Sequence, residues 1–267
     1  MEIVGYFSAV LIGITLGLLG GGGSILAVPI FVYLFGLDKM LATAYSLFVV
    51  GVSSIAGAFS YFERGLISYK TVVFFGIPAT ISVFLNRYLL LPLLPEELFS
   101  IGDLVVKKGM AIMLLFAVLM ILAARIMIKG RDSNSFEKER GIESTLEYFT
   151  VILKGIMIGF VTSLVGAGGG FLIIPAVISM FHLSIKKAIG TSLCIIMLNS
   201  LIGFSGDVSN LDIEWLFLMK FTGLSVVGIF IGSYLSKLIP GAKLKPAFGY
   251  FVLIMGFFII LKETILK

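Results

Sequence analysis

"GLLGGGGSILAVPIF" (residues 17–31) sets four consecutive glycines, Gly20 to Gly23, in the middle of an apolar run that otherwise reads as a membrane-crossing helix. Glycine costs about 1 kcal/mol relative to alanine in a helix interior, so four in a row end one helix and begin another. The chain around the break explains why that matters. Of its 267 residues 59% are hydrophobic and 13% charged, and the mean hydropathy is +1.13, a balance foreign to water-soluble domains. Apolar runs recur at about 3–36, 40–61, 68–91, 104–128, 148–182, 187–206, 214–236 and 246–266. A helix needs roughly 20 apolar residues to cross the hydrocarbon, so six runs suit one crossing each, while 3–36 and 148–182 are too long for one. Continuous runs without two-residue alternation exclude a barrel, and lipid tolerates no unpaired backbone, so the expected fold is an all-α polytopic membrane protein.

Shifting the chain by 146 residues aligns 13–57 with 159–203 without a gap. The shift pairs Gly20 with Gly166, Gly22 with Gly168, Gly23 with Gly169, Pro29 with Pro175, Ser46 with Ser192 and Ser54 with Ser200. Apolar residues match by chance, but glycines, prolines and serines in one register do not. The expected organisation is a first transmembrane repeat (1–128), a charged linker (129–147) and a second repeat (148–267).

Basic residues in short loops mark the cytoplasmic side. Loops 62–70, 129–147, 183–187 and 237–245 carry Lys and Arg, whereas 92–103 and 207–214 carry only acids. These positions agree only if 148–182 leaves and returns to one face, as a pair of short helices turning at the glycines. By the repeat, 3–36 does the same from the other side, which predicts N- and C-termini outside. Five segments per half turn the second half upside down, so the expected architecture is two inverted-topology repeats, each a glycine-turn hairpin followed by three transmembrane helices. The N-terminus lacks the basic flank of a signal peptide and is expected to be part of this fold.

The half-helix after Gly23, about 13 residues or roughly 20 Å long, is too short for a full crossing. Its N-terminus exposes unpaired N–H groups and partial positive charge, which an anion satisfies. Gly21, Gly22, Gly23 and a capping Ser24 in the first repeat, and Gly168, Gly169 and Gly170 in the second, are therefore candidate substrate-binding residues near the midplane. Ser46 and Ser53 lie seven residues apart on one helix face, as do Ser192 and Asn199, with Thr191, Ser54 and Ser200 beside them. Uncharged polar groups of this kind line a pathway without a buried fixed charge. Lys220 and Arg87 are candidate charge partners. Both bases can also snorkel to the interface, the same place His182 is expected to occupy.

The glycine clusters do not end in the Lys-Ser/Thr of a nucleotide loop. A single histidine, a single cysteine (Cys194) and no carboxylate deep in a span leave no metal or catalytic cluster, so no cofactor or metal is expected. The net charge of +5 is absorbed by loop topology and calls for no nucleic acid. A passive anion channel and a membrane-embedded enzyme are the competing functions.

The doubled motif "GxxxGLLGGGGSILAVPIF" with "ATAYSL", and "GxxxxLVGAGGGFLIIPAV" with "AIGTSL", resembles the sulfite exporter TauE/SafE family, the TSUP membrane anion transporters, over nearly the whole chain. The resemblance implies a secondary transporter in the cell membrane, an exporter, for small sulfur-containing anions such as sulfite, thiosulfate or organosulfonates. Its mechanism would be alternating access around a midplane site. The lipid bilayer, a coupling proton or sodium ion and a second copy of the chain are the implied partners. One departure stands out: Tyr45 occupies the position that Thr191 holds in the second repeat.

Overall fold

The structure is a computed structural model describing residues 2–101, 104–129, 145–236 and 241–265. Most of the charged linker, from 130 to 144, lies outside the described residues, as do Asp103 and Lys237.

The glycines break the first apolar run where the sequence predicts. Helix α1 spans Glu2–Leu19, and after the turn a short helix α2 covers Gly22–Leu34. Then come α3 (Lys39–Phe62) and α4 (Tyr69–Leu93). A two-stranded antiparallel hairpin follows, β1 (Glu97–Ile101) with β2 (Leu104–Lys107), and leads into α5 (Lys108–Ile128). The second half repeats the order with α6 (Thr145–Val165), α7 (Gly170–Phe181), α8 (Ile185–Asp207), α9 (Trp215–Leu235) and α10 (Gly241–Thr264).

Among the described residues, six helices are long and apolar enough to cross a membrane by length and composition: α3, α4, α5, α6, α8 and α9. This is a multi-pass membrane protein. Three expectations need correction. The hairpin arms are unequal, because α6 runs for 21 residues before its turn and only α7, with 12, is short. The chain is not wholly helical, since the Val-rich "LVVK" pairs as a strand and the next helix starts at Lys108 rather than 104. Asp207 belongs to α8, as its last residue, rather than to the loop after it, and its carboxylate is buried.

Each proline also acts locally. Pro175 is accommodated inside α7. α2 begins as a 3₁₀ turn at Gly22–Leu26 and ends as a π turn at Ile30–Leu34, directly after Pro29. Proline lacks an N–H and crowds the preceding turn, and the wider spacing after it relieves that conflict.

At the centre α3 and α8 run antiparallel. Gly51 lies against Leu201, Gly57 against Leu193, and Gly203 against Leu47. They are the most buried of the candidate spans. Around them the first arm of each hairpin packs on a helix of the other half. α1 lies along α9, where a Cβ on Gly13 would strike the Ser225 carbonyl oxygen. α6 lies along α4, where a Cβ on Gly159 would strike the Ala79 carbonyl oxygen. Small residues let backbones meet this closely in a membrane.

Gly159→Ala is therefore expected to destabilise the fold by about 1–3 kcal/mol, the usual cost of overpacking, despite its better helix propensity. A lower melting temperature of the detergent-purified protein is the expected result, and an unchanged one would contradict this packing.

The contacts between segments fall into two sets. The Lys39 ammonium pairs with Glu263, the Glu214 N–H donates to the Tyr45 hydroxyl at 2.7 Å, and Lys108 pairs with Glu96 at 3.3 Å. They join the start of α3 to the end of α10, α3 to the segment before α9, and the start of α5 to the segment before β1. Elsewhere the Ser68 N–H donates to Thr191 Oγ1 at 2.9 Å, and a Cβ on Gly190 would strike the Leu66 carbonyl oxygen, joining 62–68 to 183–191.

Candidate functional site

Both glycine turns reach the middle of the bundle, and there they touch. Gly20 and Gly21 have φ of 62° and 94°, and Gly166, Gly168 and Gly169 have φ of 71°, 64° and 76°, conformations that glycine adopts without a Cβ penalty. A Cβ on Gly21 would sit 3.1 Å from Gly170 Cα, and one on Gly170 would collide with the Gly21 carbonyl oxygen. The contact falls about halfway along the central helices, since Gly21 meets Ile196 of α8, and Gly168 meets Val50 of α3 and Ser200 of α8. Residues 20–24 and 166–170 are all buried.

The unpartnered polar groups of the two central helices follow the repeat, and Ser200 among them meets the Gly168 turn. Among the described residues, the hydroxyls of Ser46, Ser54, Ser192 and Ser200 and the Asn199 amide nitrogen are buried without a hydrogen-bond partner. Ser46 pairs with Ser192 in the repeat, and Ser54 with Ser200. A buried polar group left unpaired costs about 1–3 kcal/mol, so five on two adjacent helices are an expensive concentration.

The remaining predicted residues have structural partners. Ser53 donates to the Ser225 hydroxyl at 3.0 Å, and its repeat mate Asn199 accepts through Oδ1 from Thr80 Oγ1 at 2.6 Å. Each bond joins a central helix of one half to a flanking helix of the other. Ser24 does not cap α2 by accepting an N–H, as expected. Its hydroxyl donates to the Gly21 carbonyl at 2.8 Å and ties the turn to the first helical residues. Thr191 and Tyr45 prove equivalent despite their chemistry. Thr191 receives the Ser68 N–H from the α3–α4 loop, and Tyr45 receives the Glu214 N–H from the α8–α9 loop, the matching segment of the other half. Tyrosine only reaches farther.

The two candidate charges separate sharply. Lys220 is exposed on α9, next to the exposed Met219, away from the glycine junction. His182 closes α7 in the left-handed conformation. Arg87, by contrast, is 1% exposed. It sits on a π turn of α4 (Asn86–Leu90), a distortion common where a side chain must be re-aimed.

Its Nε donates to the Ser163 carbonyl at 2.7 Å, and its Nη1 donates to Thr43 Oγ1 at 3.1 Å and to Asp207 Oδ2 at 2.6 Å. Nη2 lies beside the Gly166 turn and has no partner among the described residues. Sequence reading placed Arg87 near a helix end, where a base snorkels. It read Asp207 as a loop acid rather than as the partner of Arg87, and the acid's place at the close of an apolar run was the available signal.

The family model described as "Sulfite exporter TauE/SafE" matches residues 6–259. A probable membrane transporter protein of Xylella fastidiosa is 30% identical over 97% of this chain and 94% of its own length. The probable membrane transporter protein YdhB of Bacillus subtilis is 26% identical over 89% of this chain and 91% of its own. One from Methanocaldococcus jannaschii is 31% identical over 75% and 68% respectively. No solved structure matches the chain.

Proposed function

The chain belongs to the sulfite exporter TauE/SafE family of membrane transporters, and on that premise we propose that it moves small sulfur-containing oxyanions and sulfonates by alternating access around the junction of its two glycine turns. The meeting of Gly21 and Gly170 beside two central helices whose serine hydroxyls lack partners carries the reading. Two helix N-termini converge there, each with unsatisfied N–H groups and partial positive charge. The serine hydroxyls and the Asn199 amide add donors that suit oxygens arrayed around sulfur.

Inverted repeats belong to this reading. The matched contacts support them: α1 on α9 answers α6 on α4, Ser53–Ser225 answers Asn199–Thr80, and Tyr45–Glu214 answers Thr191–Ser68. In such a pair one half rocks against the other around a central site. The substrate-contacting set is then Gly21, Gly22, Gly23, Gly168, Gly169, Gly170, Ser46, Ser192, Asn199 and the flanking Ser54 and Ser200. Ser24, Ser53 and Thr191 hold the frame. The basic loops support an orientation with both termini outside, and the family description supports export as the direction of net flux.

Purified protein in vesicles is expected to exchange thiosulfate, sulfite or sulfoacetate across the bilayer with saturation, and with acceleration by the same anion on the far side. Linear flux without that acceleration would favour a channel. No flux across the whole panel would sink the reading.

A further inference from the structure

A cavity of about 470 Å³ opens beside Arg87 and is also lined by Asp38, Glu96, Lys108, Asp207 and Asn210. It reaches from the α2–α3 turn and the start of α5 to the buried guanidinium, whose Nη2 faces the second glycine turn without a partner. We propose that Arg87 and Asp207 form a proton-linked anion gate: an incoming oxyanion replaces the Asp207 carboxylate on Arg87 only as Asp207 takes up a proton, so that anion and proton move together. This deepens the transporter reading and rests on it.

Charge and donor count carry the inference. With every group ionised, the three acids and two bases lining the cavity leave it at −1, and an entering anion would add to that. Protonating one carboxylate removes the excess. Glu96 is an unsuitable acceptor, since its side chain is 80% exposed and bound to Lys108. Asp38 is engaged as the cap of α3, receiving the Met40 N–H at 2.8 Å.

Asp207 is 6% exposed at its side chain, and Arg87 is its ion-pair partner. The groups facing it are Arg87 from α4, Lys108 from α5, Asp38 from the α2–α3 turn and Glu96. Tyr88 on α4 is half exposed, and Asp212 and Glu214 follow on its own chain segment.

The exchange balances. A proton from water adds to the Asp207 carboxylate, the Nη1–Oδ2 ion pair breaks, and oxygens of the anion accept from Nη1 and the unpartnered Nη2. A planar guanidinium presents these two donors in the fork that an oxyanion fits. For a monoanion the pair plus its ligand is neutral before and after, and for the dianion thiosulfate the proton holds the sum at −1, where ionised Asp207 would leave it at −2.

The test uses the full chain in vesicles with a trapped pH dye and radiolabelled thiosulfate, which stays fully ionised across the range used. The wild type is expected to carry protons with thiosulfate, and its thiosulfate affinity is expected to fall about tenfold per pH unit on the alkaline side, as one linked proton requires. Asp207→Asn is expected to lose proton movement with thiosulfate and to flatten the pH profile of thiosulfate affinity. Asp207→Glu should restore the slope.

Wild-type exchange without proton movement, or an Asp207→Asn profile matching the wild type, overturns the proposal while leaving the transport reading intact. If Asp207→Asn is not monodisperse, the wild-type dye and affinity measurements decide alone. If the wild type moves none of thiosulfate, sulfite and sulfoacetate, the transport reading fails and the coupling falls with it.

Discussion

Gly170→Ala is expected to abolish anion exchange while leaving a folded, membrane-inserted protein. One methyl group at Gly170 falls on the Gly21 carbonyl oxygen, and both turns are buried, so one of them must retreat from the junction. Binding geometry displaced by about 1 Å commonly costs on the order of 10²-fold in rate, and here the displaced groups are the helix ends themselves. Gly169→Val should act the same way by adding strain, since Gly169 has a φ of 76° and a Cβ there would sit 2.6 Å from Thr162.

Gly223→Ala is the matched control. It lies on α9 at ordinary φ with no atom within 4 Å of the added carbon, so flux and melting temperature should match the wild type. Thiosulfate exchange in vesicles measures all three. Normal exchange by Gly170→Ala would remove the junction as the site.

Arg87→Met should be the most destabilising single change outside the packing glycines. It leaves Asp207 buried without its counter-charge, and removing one partner of a buried pair typically costs about 3–5 kcal/mol. Arg87→Met combined with Asp207→Leu should recover most of that loss, because taking out both charges also removes their desolvation cost. Melting of the purified variants reads the coupling. Additive destabilisation in the double variant would mean that the pair is not energetically linked. Transport should stay lost in the double variant even where stability returns, which separates the guanidinium's work on the anion from its work on the fold.

How much of this was legible in the sequence varies with the range of the interaction. The helices, the breaks at the glycines and the duplication were readable because they depend on local composition and on pattern along the chain. The short β hairpin was not, since "LVVK" is as apolar as the helix it precedes and only its pairing with Glu97–Ile101 distinguishes it. Thr191 and Ser53 carried a polar-pathway signature, but a hydroxyl on an apolar face looks the same whether it meets a substrate or a neighbouring helix. Ser68 and Ser225 supplied the neighbours. Tyr45 looked like a break in the symmetry until its hydroxyl was seen at the Glu214 N–H.

The sequence by itself determined that this chain crosses a membrane several times, that residues 13–57 align with 159–203 in one register, and that each of these stretches has a glycine turn where a helix should continue. Hydropathy, helix propensity and a 146-residue register are properties of the chain alone. Only the tertiary structure decided that Gly21 meets Gly170, and that Arg87, 120 residues away from Asp207 in the chain, is buried against it. The reason is that a residue's burial and partners are set by helices brought together from distant parts of the chain. An arginine near a helix end can snorkel to water or turn inward, and the choice rests with what packs against it.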